Sequence, residues 1–166
     1  MTEPQTNLTG DQLHTPPKTP FDWAALLLGL SAVAGLAISI YLTVAHYSGG
    51  GLACPRGGAL DCEAVTHSLF STVPGTDLPI TIPGLIWFVV SGGAALLALT
   101  RRAPAWLAVA HLLWGVIGIF TILYLIYAEL VVIHKVCLWC TTIHTLVAIT
   151  FLLALIRWQR QVAEAI

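Results

Sequence analysis

Two cysteines in the stretch Cys137-Leu138-Trp139-Cys140 are the residues of this chain best suited to do chemistry. They open a long apolar run, Val136 to Ile156, that predicts a helix. A separation of three positions is nearly one helical turn, so both sulfurs would lie on one face. Because unpaired backbone N–H groups in the first turn favour thiolate over thiol, we expect a reactive pair. A thiolate attacks disulfides, binds soft metals or adds to electrophiles.

The elements that position this pair belong to a membrane protein. The chain has 166 residues, of which 57% are hydrophobic and 9% charged, with a mean hydropathy of +0.86. Soluble domains average about 25% charged residues. A net charge of −1 argues against a nucleic-acid partner. The composition therefore predicts an integral membrane protein embedded in a lipid bilayer.

Four apolar stretches are each long enough to span a bilayer, which takes about 20 residues. This predicts an all-α membrane protein with a four-helix transmembrane catalytic domain over residues 21–160. The polar, proline-rich residues 1–20 predict a disordered cytoplasmic tail. In the first span Ser31, Gly35 and Ser39 place small residues at every fourth position, which favours close helix packing. The four predicted spans are approximately residues 23–47, 80–100, 104–133 and 136–157.

Lysine and arginine predict the orientation, because they concentrate in cytoplasmic segments. Five of them flank one side of the predicted spans and two flank the other, which places both termini in the cytoplasm. All four cysteines then lie on the opposite, extracytoplasmic side, where disulfides persist in a bacterium. We therefore expect a multi-pass protein of the bacterial cell (inner) membrane. The cytoplasmic group is Lys18, Arg101, Arg102, Arg157 and Arg160, and the other is Arg56 and Lys135.

The loop over residues 48–79 carries the other two cysteines and is long for a connection within a small bundle. Its glycine-rich start predicts a flexible hinge with Cys54 in the mobile part. Helical spacing from Cys62 to Phe70 predicts a short amphipathic half-helix at the membrane surface. One cysteine on a moving segment and one on a fixed segment would suit a relay from a soluble partner to a buried pair. Four cysteines allow three pairings, which the spacing alone leaves open.

These features together resemble the vitamin K epoxide reductase family. The resemblance rests on the loop pair Cys54 and Cys62, on Ser68 six residues later, and on the Cys137–Cys140 motif that opens the last of four helices. It covers roughly Trp23 to Arg157, which is most of the chain.

The resemblance implies a four-helix bundle around a quinone site that the half-helix caps. It implies that Cys140 lies next to the quinone and that Cys137 is its partner, exchanging with Cys62. Cys54 would be the outer cysteine attacked by a partner dithiol, and Ser68 would lie close to the quinone. No metal is implied.

Two departures from the animal members of the family point to the type of reaction. Four residues after the second active cysteine those enzymes carry a tyrosine, where this chain has His144. An asparagine of their second helix falls, by an approximate match, on Ile80. The resemblance therefore implies quinone reduction coupled to disulfide formation in exported proteins, rather than epoxide reduction. The expected quinone is menaquinone or ubiquinone, and the expected partner is a thioredoxin-like dithiol protein acting in trans, because the chain ends at Ile166.

Further side chains are candidates for the quinone pocket. We expect His144, one turn after Cys140, to hydrogen-bond a quinone oxygen or relay a proton. Trp87, Tyr124 and Trp139 could form the pocket walls. Glu129 stands late in the third span, and we expect it at a solvated helix end.

Three other classes of protein fit part of the pattern. Four cysteines could bind Zn(II) or Cu(I) in a metal-binding or transport protein, although seven residues between the loop cysteines make a loose site. The other bacterial class of four-helix thiol oxidase carries its cysteine motif near the first helix. A structural protein with inert disulfides is disfavoured, since a disulfide within one helical turn constrains almost nothing.

Overall fold

The computed structural model of the chain describes residues 22–49, 51–54, 57–100, 104 and 106–164. The predicted disordered tail over residues 1–20 lies outside the described residues. The described part is helical and contains no β-strand, in agreement with the predicted all-α class. Its long helices are α1 (Trp23–Ser48), α3 (Thr81–Ala98), α4 (Trp106–Tyr127) and α5 (Leu138–Glu164).

Four spans are long and apolar enough to cross a membrane, so the chain is a multi-pass membrane protein. The third of these spans consists of α4 and a π-helical segment, Ala128–Ile133, that continues it. The helix α5 extends beyond the predicted end near Arg157, because polar residues there continue the helix past the apolar run.

The helix α1 lies against both α3 and α5, while α4 packs on α5. The predicted stripe of small residues explains this position, since Ser31, Gly35 and Ser39 are all buried. Gly35 faces the ring of Phe88 on α3, at a distance that leaves no space for a side chain. Since α3 and α4 meet over a smaller area, this side of the bundle is its least closely packed.

An ion pair closes the end of the bundle away from the cysteines. Asp22 caps α1 by accepting the backbone N–H of Ala25 at 3.0 Å. Its other carboxylate oxygen accepts a hydrogen bond from Nε of Arg157 at 2.9 Å. Because Arg157 lies on α5 and is buried, the pair ties the beginning of the first span to the end of the last.

The loop before α3 contains α2 (Cys62–Thr66) and a 3₁₀ turn (Leu69–Ser71), which together confirm the predicted half-helix. Asp61 begins α2 by accepting the backbone N–H of Ala64 at 3.0 Å. Val65 faces the protein, whereas the Leu69 side chain is 93% exposed. This loop lies at the same end of the bundle as the start of α5, so all four cysteines share one end, as predicted.

Candidate active site

Backbone pairing fixes the loop beside the start of α5. Leu60 and Val136 form an isolated parallel bridge. In it the N–H of Asp61 donates to the Val136 carbonyl at 3.1 Å, and the N–H of Val136 donates to the Ala59 carbonyl at 2.9 Å. The next residues along these segments are Cys62 and Cys137, which are both buried in one cluster. The backbone therefore brings the loop pair and the Cys137–Cys140 pair together.

A second set of contacts holds the segment just before Cys54. The Tyr41 hydroxyl of α1 accepts the backbone N–H of Ala53 at 2.9 Å. The indole N–H of Trp139 donates to the Ala53 carbonyl, also at 2.9 Å. The two rings contact each other with centroids 5.1 Å apart. Both backbone groups of Ala53, the residue before Cys54, are thus held by side chains from two helices. That Cys54 lies in a mobile part of the loop stays a prediction.

The two cysteine pairs are in different redox states. Cys54 and Cys62 form a disulfide with their Cα atoms 6.1 Å apart. Cys137 and Cys140 are free thiols. This pairing is among the three that the sequence left open.

Cys137 is the residue immediately before the first residue of α5, and its sulfur takes the place of a capping oxygen. The backbone N–H of Cys140 donates to Sγ of Cys137 at 3.3 Å. A hydrogen bond from the Cys140 thiol lowers the pKa of Cys137, and the backbone N–H groups of Cys140 and Trp139 act in the same direction against the effect of burial. Thiolate character is therefore favoured at Cys137, the cysteine that lies nearer the loop.

Two adjoining cavities meet at Cys140. The smaller lies under the half-helix and the larger, of about 250 Å³, lies between α3 and α4. Cys140 and His144 line both of them, together with Leu42, Ile80, Thr81 and Leu125. Exposed residues of α3 and α4, Pro83, Ile117 and Thr121, form part of the larger cavity. It therefore opens sideways on the face of the bundle that would contact lipid.

The sequence also matches a family model. The model of the vitamin K epoxide reductase family matches residues 26–155. The chain belongs to the vitamin K epoxide reductase family. Members of this family work with quinones, so the chain is a membrane oxidoreductase. No curated protein shows significant similarity to it.

Two of the predicted quinone-site residues, Ser68 and His144, lie close to Cys140 in the structure. Both line the smaller cavity. The Ser68 hydroxyl is already engaged locally, because it donates to the Val65 carbonyl at 2.8 Å and accepts the Phe70 N–H at 3.3 Å. His144 is buried and faces both cavities.

The three aromatic candidates have different positions. Trp87 lines the larger cavity, and its indole N–H donates to the Trp114 carbonyl at 3.3 Å. The indole N–H of Trp114 in turn donates to the Trp87 carbonyl, also at 3.3 Å. Tyr124 contacts Phe70, with ring centroids 6.3 Å apart, and is 47% exposed. Neither Tyr124 nor Trp139 lines either of the two cavities. The structure thus brings Trp87 to the cavities with Ser68 and His144, and places Trp139 against the loop.

Glu129 is a site residue that sequence reasoning missed. Its side chain is only 5% exposed and lines the smaller cavity, so the expectation of a solvated helix end is wrong. The buried face of α4 includes His111, Gly115, Gly118 and Ile122, at spacings of three and four. The same spacing continued through Leu125 reaches Glu129, and this was the signal available in the sequence.

No group of three or more His, Cys, Asp or Glu side chains is arranged to hold a metal ion among the described residues.

Proposed function

We propose that this protein is a thiol:quinone oxidoreductase that drives disulfide formation in exported proteins. Electrons would pass from a partner dithiol to Cys54 and Cys62, then to Cys137 and Cys140, and finally to a membrane quinone. The backbone pairing of Leu60 with Val136 is the observation that carries this proposal, because it holds the two cysteine pairs next to each other.

The transfer between the two pairs is a thiol–disulfide exchange. The Cys62 thiolate attacks Cys137 in the oxidised inner pair, so a Cys62–Cys137 bond forms as the Cys137–Cys140 bond breaks. Cys54 then attacks Cys62, which restores the loop disulfide and releases Cys137 as a thiolate. The state in the structure, with the loop disulfide intact and the inner pair reduced, corresponds to the end of this sequence. The favoured thiolate at Cys137 makes it a good leaving group in the second exchange.

The larger cavity supports a quinone as the electron acceptor. Its walls are largely apolar, with the Trp87 ring, Phe88 and Val147 among them. The polar side chains in its lining include Cys140 and His144 and the hydroxyl groups of Ser39, Thr81 and Thr121. Small-molecule sites commonly combine apolar walls with a few oriented polar groups. The opening between α3 and α4 would admit a lipid-soluble molecule such as menaquinone or ubiquinone from the side. His144, which lines both cavities, would bind a quinone oxygen. The Ser68 hydroxyl would have to give up its bond to Val65 to do so.

We further propose that the cysteine end of the bundle faces the exterior of a bacterial cell membrane. Arg157 and Arg160 lie at the opposite end of α5, and Lys135 lies at the cysteine end. The exterior position would expose the loop disulfide to a thioredoxin-like partner acting in trans.

Anaerobic mixing of the reduced protein with menaquinone and ubiquinone analogues tests the proposal. Quinone reduction followed by absorbance, with one quinone reduced per inner disulfide formed, is the expected result. The Cys140→Ser variant should lose this activity. The Cys54→Ser variant is the matched control, because a small dithiol that reaches the inner pair directly should still support quinone reduction. Normal quinone reduction by Cys140→Ser would contradict the proposal.

A further inference from the structure

Glu129 is a buried carboxyl group within a span that is long and apolar enough to cross the membrane. Ionisable side chains in such positions are costly, and they commonly mark proton relays. Glu129 lines the smaller cavity together with Cys140, His144 and Ser68, on the side where the loop covers the bundle. It is the carboxyl-bearing side chain in the lining of this cavity, and no step described above uses it.

The chain holds Glu129 firmly in this place. Its carbonyl oxygen accepts the backbone N–H of Lys135 at 3.1 Å and that of His134, which closes the π-helical segment. Its carboxyl group lies near the backbone N–H of Cys137. The carboxyl therefore lies beside the inner cysteine pair and lines the same cavity as Cys140, a position suited to proton exchange with a sulfur.

We propose that Glu129 is the proton carrier between the inner cysteine pair and the quinone. This inference rests on the proposed function. Glu129 takes the protons of the Cys140 and Cys137 thiols one after the other, and each passes to a quinone oxygen where the two cavities meet at Cys140 and His144. The two sulfurs together lose two electrons as the Cys137–Cys140 bond forms. The quinone gains those two electrons and two protons, so two thiols and one quinone yield one disulfide and one hydroquinone.

The other ionisable groups around the cavity have different places. His46 reaches it from α1, and Cys140 and His144 reach it from α5, with Cys137 just before that helix. The half-helix and 3₁₀ turn contribute uncharged side chains: Val65, Thr66, Ser68, Phe70 and Ser71. His144 also lines the larger cavity, whereas Glu129 lines only the smaller. Glu129 therefore lies nearer the sulfurs, and a proton from it reaches the quinone past His144, where the two cavities meet.

The Glu129→Gln variant separates proton transfer from a structural role. The amide keeps the size and polarity of the carboxyl group, but it cannot carry the proton. We expect the reduced variant to transfer electrons to menadione at least about 10-fold more slowly than the wild type, in line with a general acid–base contribution. The inflection that ionisation of Glu129 causes in the pH–rate profile of the wild type should be absent from the variant. Exchange between the loop pair and the inner pair should keep its wild-type rate. Asp77→Asn is the matched control, because Asp77 is an exposed carboxylate at the same end of the bundle.

Several results would overturn this role. Unchanged rate and pH profile in Glu129→Gln would show that no proton passes through residue 129. A loss of loop-to-inner exchange equal to the loss of quinone reduction would show a purely structural effect. Should the variant not fold, reaction-induced infrared difference spectra of the wild type and Glu129→Asp provide the test. A carboxyl band that changes on quinone reduction and shifts in Glu129→Asp is expected, and the absence of any carboxyl change would refute the proposal. Failure of the wild type to reduce any quinone would refute the proposed function instead.

Discussion

Asp61 donates its backbone N–H to the carbonyl oxygen of Val136 at 3.1 Å, and each of these residues directly precedes a cysteine. Each also lies at the beginning of a helix, since Asp61 caps α2 and Val136 comes just before the cap of α5. The hydrogen bond therefore fixes the beginnings of two helices against each other. Because both cysteines belong to one buried cluster, the proposed exchange between the pairs would need no large movement of the loop.

This register predicts which cysteine of the loop bonds to the inner pair. In the double variant Cys54→Ser with Cys140→Ser, only Cys62 and Cys137 remain, and mild oxidation should join them. In the variant Cys62→Ser with Cys140→Ser, Cys54 and Cys137 should join at least about 10-fold more slowly, because proximity and orientation govern such reactions. Rates of disulfide formation, measured by mass spectrometry after thiol blocking, check this. Equal rates in the two variants would contradict the register.

The hydrogen bond from Trp139 to Ala53 predicts an effect on the loop rather than on the quinone. Trp139→Phe keeps a ring beside Tyr41 but loses the indole N–H. A hydrogen bond contributes about 0.5–1.5 kcal/mol net, so exchange from the loop pair should slow by about 2- to 10-fold. Amide hydrogen exchange in residues 51–54 should rise. Quinone reduction by the pre-reduced inner pair should stay at the wild-type rate.

The control for Trp139→Phe is Trp106→Phe, since Trp106 is 65% exposed at the opposite end of the bundle. A Trp139→Phe protein that binds quinone more weakly, with unchanged exchange at residues 51–54, would place Trp139 in the quinone site after all.

Gly118 lets Trp87 and Val147 approach the larger cavity. A Cβ atom on Gly118 would lie 2.8 Å from Cζ2 of Trp87 and 2.9 Å from Cγ1 of Val147. Gly118→Ala should therefore displace the Trp87 ring and destabilise the fold by about 1–3 kcal/mol. It should also raise the KM for quinone. Thermal unfolding and steady-state kinetics measure both effects.

Gly93→Ala provides the comparison, because nothing lies within 4 Å of a Cβ atom at that helical position. Alanine is the better helix former, so this variant should keep or raise stability and leave the KM unchanged. Similar behaviour of the two variants would mean that Gly118 does not shape the cavity.

The capping position of Cys137 predicts its pH-dependent reactivity. The hydrogen bond from the Cys140 thiol lowers the pKa of Cys137, so its thiolate persists at a lower pH than that of an ordinary thiol near 8.5. In a Cys54→Ser, Cys62→Ser background, the midpoint of iodoacetamide alkylation at Cys137 should lie below that value. Cys140→Ala removes the thiol donor and should raise the midpoint. An unchanged midpoint in that variant would show that Cys140 does not stabilise the thiolate.

The main elements of the fold could be predicted because they depend on composition along the chain. Long apolar runs specify the spans, and the stripe Ser31, Gly35 and Ser39 marks the face on which helices approach closely. The half-helix beginning at Cys62 follows from helical spacing in a short segment. The common end of the four cysteines follows from the number of spans between them.

The remaining features of the site depend on contacts between distant parts of the chain. Trp139 was expected beside a quinone, yet its indole donates to a backbone carbonyl 86 residues away. No property of the residue itself indicates that partner. Glu129 is different, because the buried spacing of α4 extends to it. The expectation of a solvated end gave more weight to its charge than to its position on the helix.

The sideways opening of the larger cavity has a kinetic consequence. A site reached from the hydrocarbon responds to the mole fraction of quinone in the lipid, and not to its concentration in the surrounding water. Adding lipid or detergent at constant total quinone would then dilute the substrate and slow the reaction, although nothing in the aqueous phase had changed. Under the proposed function, the rate of disulfide formation would therefore follow the oxidised fraction of the quinone in the membrane.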